Sequence, residues 1–303
     1  MAPLAVLLRE PAAAWRRAGT PWRTAYAVGS ALMIIGLAHG LAWLVAGGAW
    51  DGPVSYRKPF SFGMSFGLTT ITLAWFADRL GLSRRAGWWL LLPLMLANTS
   101  EVVWVSLQRA RGVPSHFNMG TTFDNMLYTV MGGVAIMVTV SVIVVLTVIA
   151  FRRQTDDPAL TLALRAGLLI LLVAMVGGGA MIGVGNSRAA AGQTTDMVRW
   201  GAAGSMKVTH AIGMHGIQVM AGLALWLSAV PVVPAARVRI MQFAIAGYVG
   251  LLTAGTIQWL GGRGLSQFGW LDGPLWALSV ATLAGVAAIA VRATRRPPLA
   301  ASS

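Results

Sequence analysis

Eight apolar runs, residues 25–46, 60–76, 88–107, 126–151, 166–184, 208–230, 240–260 and 275–291, constrain this chain more than any other feature. Each approaches the ~20 residues that cross a ~30 Å hydrocarbon layer as a helix. Lipid offers no partner to an unpaired amide, so a spanning backbone must satisfy itself as a helix or a closed barrel. Barrel strands would be half as long and alternate in polarity; these runs do neither. The expected fold is an all-α integral membrane protein with eight transmembrane helices. With 56% hydrophobic and 11% charged residues, the chain lacks the polar surface of a soluble domain.

The net charge of +14 needs no nucleic acid to explain it. Arginines gather on the side of the chain termini, in Arg16–Arg17, Arg84–Arg85, Arg152–Arg153 and Arg237 with Arg239. That is the bias that keeps basic loops in the cytoplasm. The expected protein is a multi-pass protein of the cell membrane, with the lipid bilayer as partner, both termini cytoplasmic and no nucleic-acid role. Residues 1–23 read as a cytoplasmic interfacial segment, because their apolar run precedes its arginines, the reverse of a secretory signal. Residues 24–155 and 156–292 read as two four-helix membrane units, and 293–303 as a cytoplasmic tail. The absence of cysteine removes disulfides and thiolate metal sites.

Two polar phrases recur. "RGVPSHFN" from Arg111 follows the third run and "RGLSQFG" from Arg263 follows the seventh, while "KPFSFGMSFG" from Lys58 opens the second and "KVTHAIGMHG" from Lys207 opens the sixth. Matching places in two sets of four runs point to a tandem duplication, its halves related by a pseudo-two-fold axis along the membrane normal. Lys58 and Lys207 are the only lysines among 23 basic residues. A compact ammonium is chemically distinct from the arginine fork, so its placement at both mouths suggests a ligand, against the ordinary reading of a snorkelling side chain.

Under this topology the costly polar groups collect towards the outside. They include His39, His116, His210 and His215, with Arg57, Arg111, Asn118, Asp124, Asp196, Arg199, Gln258 and Arg263. Orientation rules account for the inner arginines but not for histidine, amide and acid gathered on the other face. Glu101, His39 and His215 fall about 9–11 Å below the outer ends of their runs at 1.5 Å per residue. An ionisable group at such depth normally faces the protein interior or a wet cavity. Asn98, Glu101 and Gln108 share a helical stripe, as do His215 and Gln218. His210 and His215, five apart, diverge by about 140° and cannot share one metal on a regular helix. The simplest packing has Glu101, His39 and His215 lining one outward-opening cavity, beneath a rim of Lys58, Arg57, Arg111, His116, Asn118, Lys207, His210, Gln218, Gln258 and Arg263.

Three chemistries suit such a layer. The first is a membrane oxidoreductase holding haem or copper through His39 and His215, with a basic mouth for an anion. The second is a proton-coupled transporter of a small or anionic solute, with Glu101 as proton carrier. The third is an enzyme acting on a lipid or prenyl phosphate with Glu101 as acid or base. The ligand is expected to be a small molecule, quinone or lipid. The redox reading leads because two histidines from different runs share one depth. Glycine-rich "GGGAMIGVG" from Gly177, and Gly132–Gly133, are candidates for unwinding or close packing.

The topology makes a labelling prediction. Single cysteines at Ser115 and Ser187 react with an impermeant thiol reagent in intact cells, and one at Ser83 does not; labelling at Ser83 reverses the orientation.

Overall fold

A helix continues past its apolar stretch for as long as its polar ends can reach water or headgroups, so all the observed spans but α8's, Met206–Ser228, are longer than the runs. The computed structural model describes residues 2–195 and 205–295. Asp196, Arg199 and most of the 293–303 tail lie outside the described residues. The elements are α1 (Ala2–Arg17), α2 (Thr20–Ala46), α3 (Arg57–Arg79), α4 (Arg84–Ala110), α5 (Thr122–Met126), α6 (Gly133–Arg152), α7 (Pro158–Ala190), α8 (Met206–Ser228), α9 (Pro234–Leu260) and α10 (Asp272–Ala293). A π-helical stretch, Leu127–Gly132, joins α5 to α6. Among the described residues there is no strand. Eight helices among the described residues are long and apolar enough to cross a membrane, the α5–α6 stretch Thr122–Arg152 counting as one.

Their surfaces suit lipid. Leu44, Val45, Met137 and Val176 are each more than 70% exposed, which in water would leave large apolar side chains without a partner. In a bilayer it is the expected surface. The chain divides into two compact units, one of residues 13–146 and one of residues 147–295 with residues 2–12.

In the first unit, α2 and α3 meet through glycines. A Cβ on Gly63 would lie 2.6 Å from Gly36 Cα, and one on Gly36 would lie 2.9 Å from Phe60 O and Met64 N. Membrane helices gain little from hydrophobic burial against each other, so small residues that bring backbones together supply the packing. In the second unit a Cβ on Gly213 of α8 would lie 2.6 Å from Ala174 Cβ of α7, and one on Gly167 would lie 3.1 Å from Ile217 Cα. Met241, Met220 and Leu227 are fully buried in that unit's core, with Tyr248 and Leu252 beside them. Tyr248 Oη donates to Ile212 O at 2.6 Å.

The two glycine clusters behave differently. "GGGAMIGVG" does not unwind, because α7 runs unbroken to Ala190. Gly177, Gly179 and Gly183 have nothing within 4 Å of a built Cβ. Gly132 and Gly133 do stand where the helix loosens, at the end of the π stretch. Ser115, chosen above as an accessible loop position, is 3% exposed, and Met119, 49% exposed, replaces it as the labelling site.

Gly63→Ala must part α2 from α3 and costs about 1–3 kcal/mol, as overpacking does. Gly179→Ala, in open space within α7, does not destabilise and gains up to about 1 kcal/mol of helix propensity. Unfolding of the two variants in detergent, followed by circular dichroism, checks both.

Candidate functional site

Local folding places the first unit's polar stripe. Ser83 caps α4 by accepting from Ala86 N at 3.2 Å, and the helix turns its Leu91, Leu94, Ala97, Asn98, Glu101, Trp104, Val105 and Gln108 face inward. The stripe expected from helical spacing is buried throughout: Asn98 and Gln108 at 0% and Glu101 at 1% exposure. Its three members meet different fates.

Asn98 is fully engaged. Its Nδ2 donates to Thr70 Oγ1 of α3 at 2.8 Å, and its Oδ1 accepts from Thr139 Oγ1 of α6 at 3.1 Å. One amide thus joins three helices. Gln108 belongs to a second network at the end of α4. Its Nε2 donates to Asp124 Oδ1 at 2.8 Å, and Arg111 Nη1 donates to Gln108 Oε1 and to Asp124 Oδ1, each at 2.5 Å. Thr121 Oγ1 donates to Asp124 Oδ2 at 2.8 Å. Arg111 therefore holds the end of α4 to the start of α5 as a structural residue, where a ligand contact was expected.

Glu101 lies between these networks, about 13 Å from the end of α4 by helical rise. Neither carboxylate oxygen has a hydrogen-bond partner. A Cβ on Gly132, at the end of the π stretch, would stand 3.3 Å from Oε1, so a bare backbone closes one side of the carboxyl. The cation whose charge acts on it is Lys58 of α3. One turn further along the same face of α4, Val105 lines a cleft with Ser55, Lys58, Arg109 and Ser115. Arg109 lies flat on the Tyr56 ring, its guanidinium carbon 3.9 Å from the ring centroid.

The "RGVPSHFN" loop folds beside this cleft. Trp104 Nε1 donates to Ser115 O at 3.4 Å, and Asn118 Nδ2 donates to Pro114 O at 3.0 Å. Asn118 is thus a loop brace. Phe117 adopts a φ of 58°, strained for an aromatic residue. Its ring and that of His116 both contact Tyr128 of the π stretch, with centroids 5.8 Å away in each case. His116 Nδ1 is 3.2 Å from Ser115 Oγ. Arg57 pairs with Asp51.

The histidines do not converge as expected. His39 Nε2 is 3.0 Å from Ser106 Oγ, and Ser106 lies about 140° round α4 from Glu101. No hydrogen bond joins His39 to Glu101. His215 is exposed and does not line a closed cavity. The reason is that α8 packs through Gly213, Gly216, Ile217 and Met220, which turns position 215 away. Gln218, with its amide nitrogen turned towards the helix, donates to Met214 O and His215 O at 3.1 and 3.2 Å, and so braces its own helix. His210 Nδ1 lies 2.8 Å from Ala174 O; a carbonyl only accepts, so the proton sits on Nδ1. Among the described residues no three His, Asp or Glu side chains gather as metal ligands do.

The second unit also has a buried glutamine and an arginine–aspartate pair at a helix end. Gln258, 0% exposed, donates through Nε2 to Gly264 O, Leu265 O and Gln267 O at 2.9, 3.1 and 3.3 Å. Arg263 pairs with Asp272, and its carbonyl accepts from Ser205 Oγ at 3.0 Å, beside Lys207. Gln258 and Arg263, expected as ligand contacts, are engaged in folding the loop.

Sequence reasoning missed Ser55, Thr70 and Thr139, and did not place Gly132 against Glu101. Ser55 had a signal in its place two residues before the Arg57–Lys58 start of α3. The threonines had none, because mid-span threonine is common. No protein-family model matches the chain, and no curated protein or solved structure gives a significant match.

Asp124→Ala leaves Gln108 and Arg111 without their shared acceptor, and Arg111→Ala removes the donor. A double-mutant cycle on unfolding in detergent gives a coupling of roughly 0.5–3 kcal/mol. A coupling of zero overturns the structural role of Arg111.

Proposed function

We propose that this chain is a proton-coupled membrane carrier for a small anion, with Glu101 as the proton-carrying group. The observation that carries the proposal is the Glu101 carboxyl, 1% exposed with both oxygens unpartnered. A polar group buried without a partner costs several kcal/mol, and an ionisable one inside a span usually marks a solute or proton path. Asn98 and Gln108, on the same stripe, have partners that account for their burial. Only Glu101 is left with its bonding capacity unused, within reach of the Lys58 charge.

The haem or copper reading has less behind it. His39, His116 and His210 each engage a ring nitrogen with a hydroxyl or carbonyl, and His215 is exposed. The lipid-phosphate enzyme shares the basic cleft with the carrier but leaves the closed surroundings of Glu101 without a purpose.

Duplication supports the same reading. Helices α4 and α9 are both 27 residues long, and α3 and α8 are both 23. The register that aligns the first residues of α4 and α9 matches Gln108 with Gln258, and Gly112 with Gly262, whose φ values are 72° and 67°. In that register Arg111 falls against Gly261 and Lys58 one place from Lys207, so each half has drifted by single residues. Glu101 falls against Leu251. We infer two halves from one ancestor that keep a common helix-end brace, with the acid in the first alone. A residue not required by the brace has a separate reason to be there.

The test uses the full chain in liposomes enclosing a pH-sensitive dye, with lactate added outside and protein-free liposomes as background. Wild type carries protons in with the anion. Glu101→Gln, which keeps the volume, lowers proton entry at least tenfold and still exchanges labelled lactate for lactate. Proton entry by Glu101→Gln at the wild-type rate overturns the proposal.

A further inference from the structure

We infer that the corner where the end of α1 and the starts of α2 and α4 meet is a binding site for the headgroup of an anionic phospholipid. The inference goes beyond the carrier reading and does not depend on it. Three phrases of one kind lie at this corner: "WRR" at Trp15–Arg17, "WR" at Trp22–Arg23 and "RRAGWW" at Arg84–Trp89. Tryptophan settles at the level of lipid headgroups, and a guanidinium takes two oxygens of a phosphate together.

Backbone contacts bring the phrases together. Arg23 donates through Nε to Trp15 O and through Nη2 to Arg16 O, each at 3.0 Å, so its guanidinium closes the end of α1, where the last carbonyls lack helical partners. On the other side a Cβ on Gly87 would lie 3.1 Å from Pro21 Cγ and 3.2 Å from Trp22 Cζ2, so the first turn of α4 rests on the first turn of α2. Arg84, three residues before Gly87, lies on the same face of α4. Depth agrees with this placement. Arg23 precedes the first apolar run by two residues, and Arg84 and Arg85 precede the third by four and three, which is about 3–6 Å at helical rise. That is the headgroup layer, about 5–8 Å deep on each side of the hydrocarbon.

Charge selects an anionic lipid over a neutral one. Arg16, Arg23, Arg84 and Arg85 are all exposed. Among the described residues none of the four forms an ion pair with an acid, and the acids of the adjoining segments, Glu10 and Asp78, are engaged with other residues. Guanidiniums gathered without a counter-ion repel one another, and a phosphate diester among them offsets this. A choline headgroup would set its own ammonium beside the arginines, whereas a glycerol headgroup leaves the phosphate's negative charge whole. Trp15 and Trp89, 45% and 73% exposed, present rings to the glycerol and upper acyl chain. Trp22, between α2 and α4, is 6% exposed and its Nε1 has no acceptor among the described residues. A buried N–H seldom stays unbonded, and a lipid ester or phosphate oxygen at the corner would complete it.

The experiment titrates the detergent-solubilised full chain with phosphatidylglycerol, phosphatidylcholine and inorganic phosphate, and counts bound lipid by native mass spectrometry. Wild type binds phosphatidylglycerol about tenfold or more tighter than phosphatidylcholine, and the difference shrinks as salt is raised. Arg16→Gln/Arg84→Gln/Arg85→Gln removes the preference. Lysine at the same three positions keeps part of it, because the charge stays and the fork is lost. Trp22→Phe weakens phosphatidylglycerol about threefold, the scale of one hydrogen bond. Arg152→Gln/Arg153→Gln, which removes an arginine pair elsewhere in the chain, leaves it unchanged. Each variant is first checked for wild-type elution and helix content. Equal binding of the two lipids by wild type overturns the site. So does an equal loss in Arg152→Gln/Arg153→Gln, which would make the preference a matter of net charge alone. Displacement of the lipid by inorganic phosphate overturns it as well, since the corner would then be a site for a free anion.

Discussion

Inside a bilayer no water completes a hydrogen bond, and this constraint governs the structure from backbone to site. It makes each span a helix. It also sets a demand on every polar side chain within a span: find a protein partner or have a use that outweighs the cost. Asn98 meets the demand by taking a hydroxyl from each of two neighbouring helices, and so fixes the rotation of three helices about their axes. Glu101, three residues further on, does not meet it. The contrast within one stripe separates architecture from function more sharply than burial alone.

How close helices can come is decided by the same constraint. Two apolar surfaces in lipid gain little by meeting, so α2 and α3 are held by the backbone approach that Gly36 and Gly63 allow. That approach fixes the start of α3, and with it Ser55, Lys58 and the uncapped first turn, relative to α2 within the unit. The basic cleft depends on glycines that carry no chemistry.

The eight spans and the inward stripe on α4 were legible in the sequence because both rest on periodicity, which a single segment displays by itself. The convergence of Glu101, His39 and His215 was not. Depth along a helix says nothing of its rotation, and rotation is set by which glycines face which neighbour. His215 was read as a cavity residue from its depth, and Gly213 with Gly216 turned it outward. Arg111 and Arg263 stood out as a repeated phrase and proved to be braces. Both arginines are held by an aspartate in their own loop, whereas Glu101 is buried with neither oxygen bonded.

A π turn holds one more residue than the α-helical turn it replaces, which makes Leu127–Gly132 an offset within the span that α5 and α6 form together. Rewinding it to α-helix would rotate α5 by about 100° relative to α6. Asp124 would swing off Gln108 and Arg111, and the register of Gly132 against Glu101 would change. The bonds to Asp124 therefore oppose the rewinding, and the place of Gly132 against the carboxyl is tied to the extra residue.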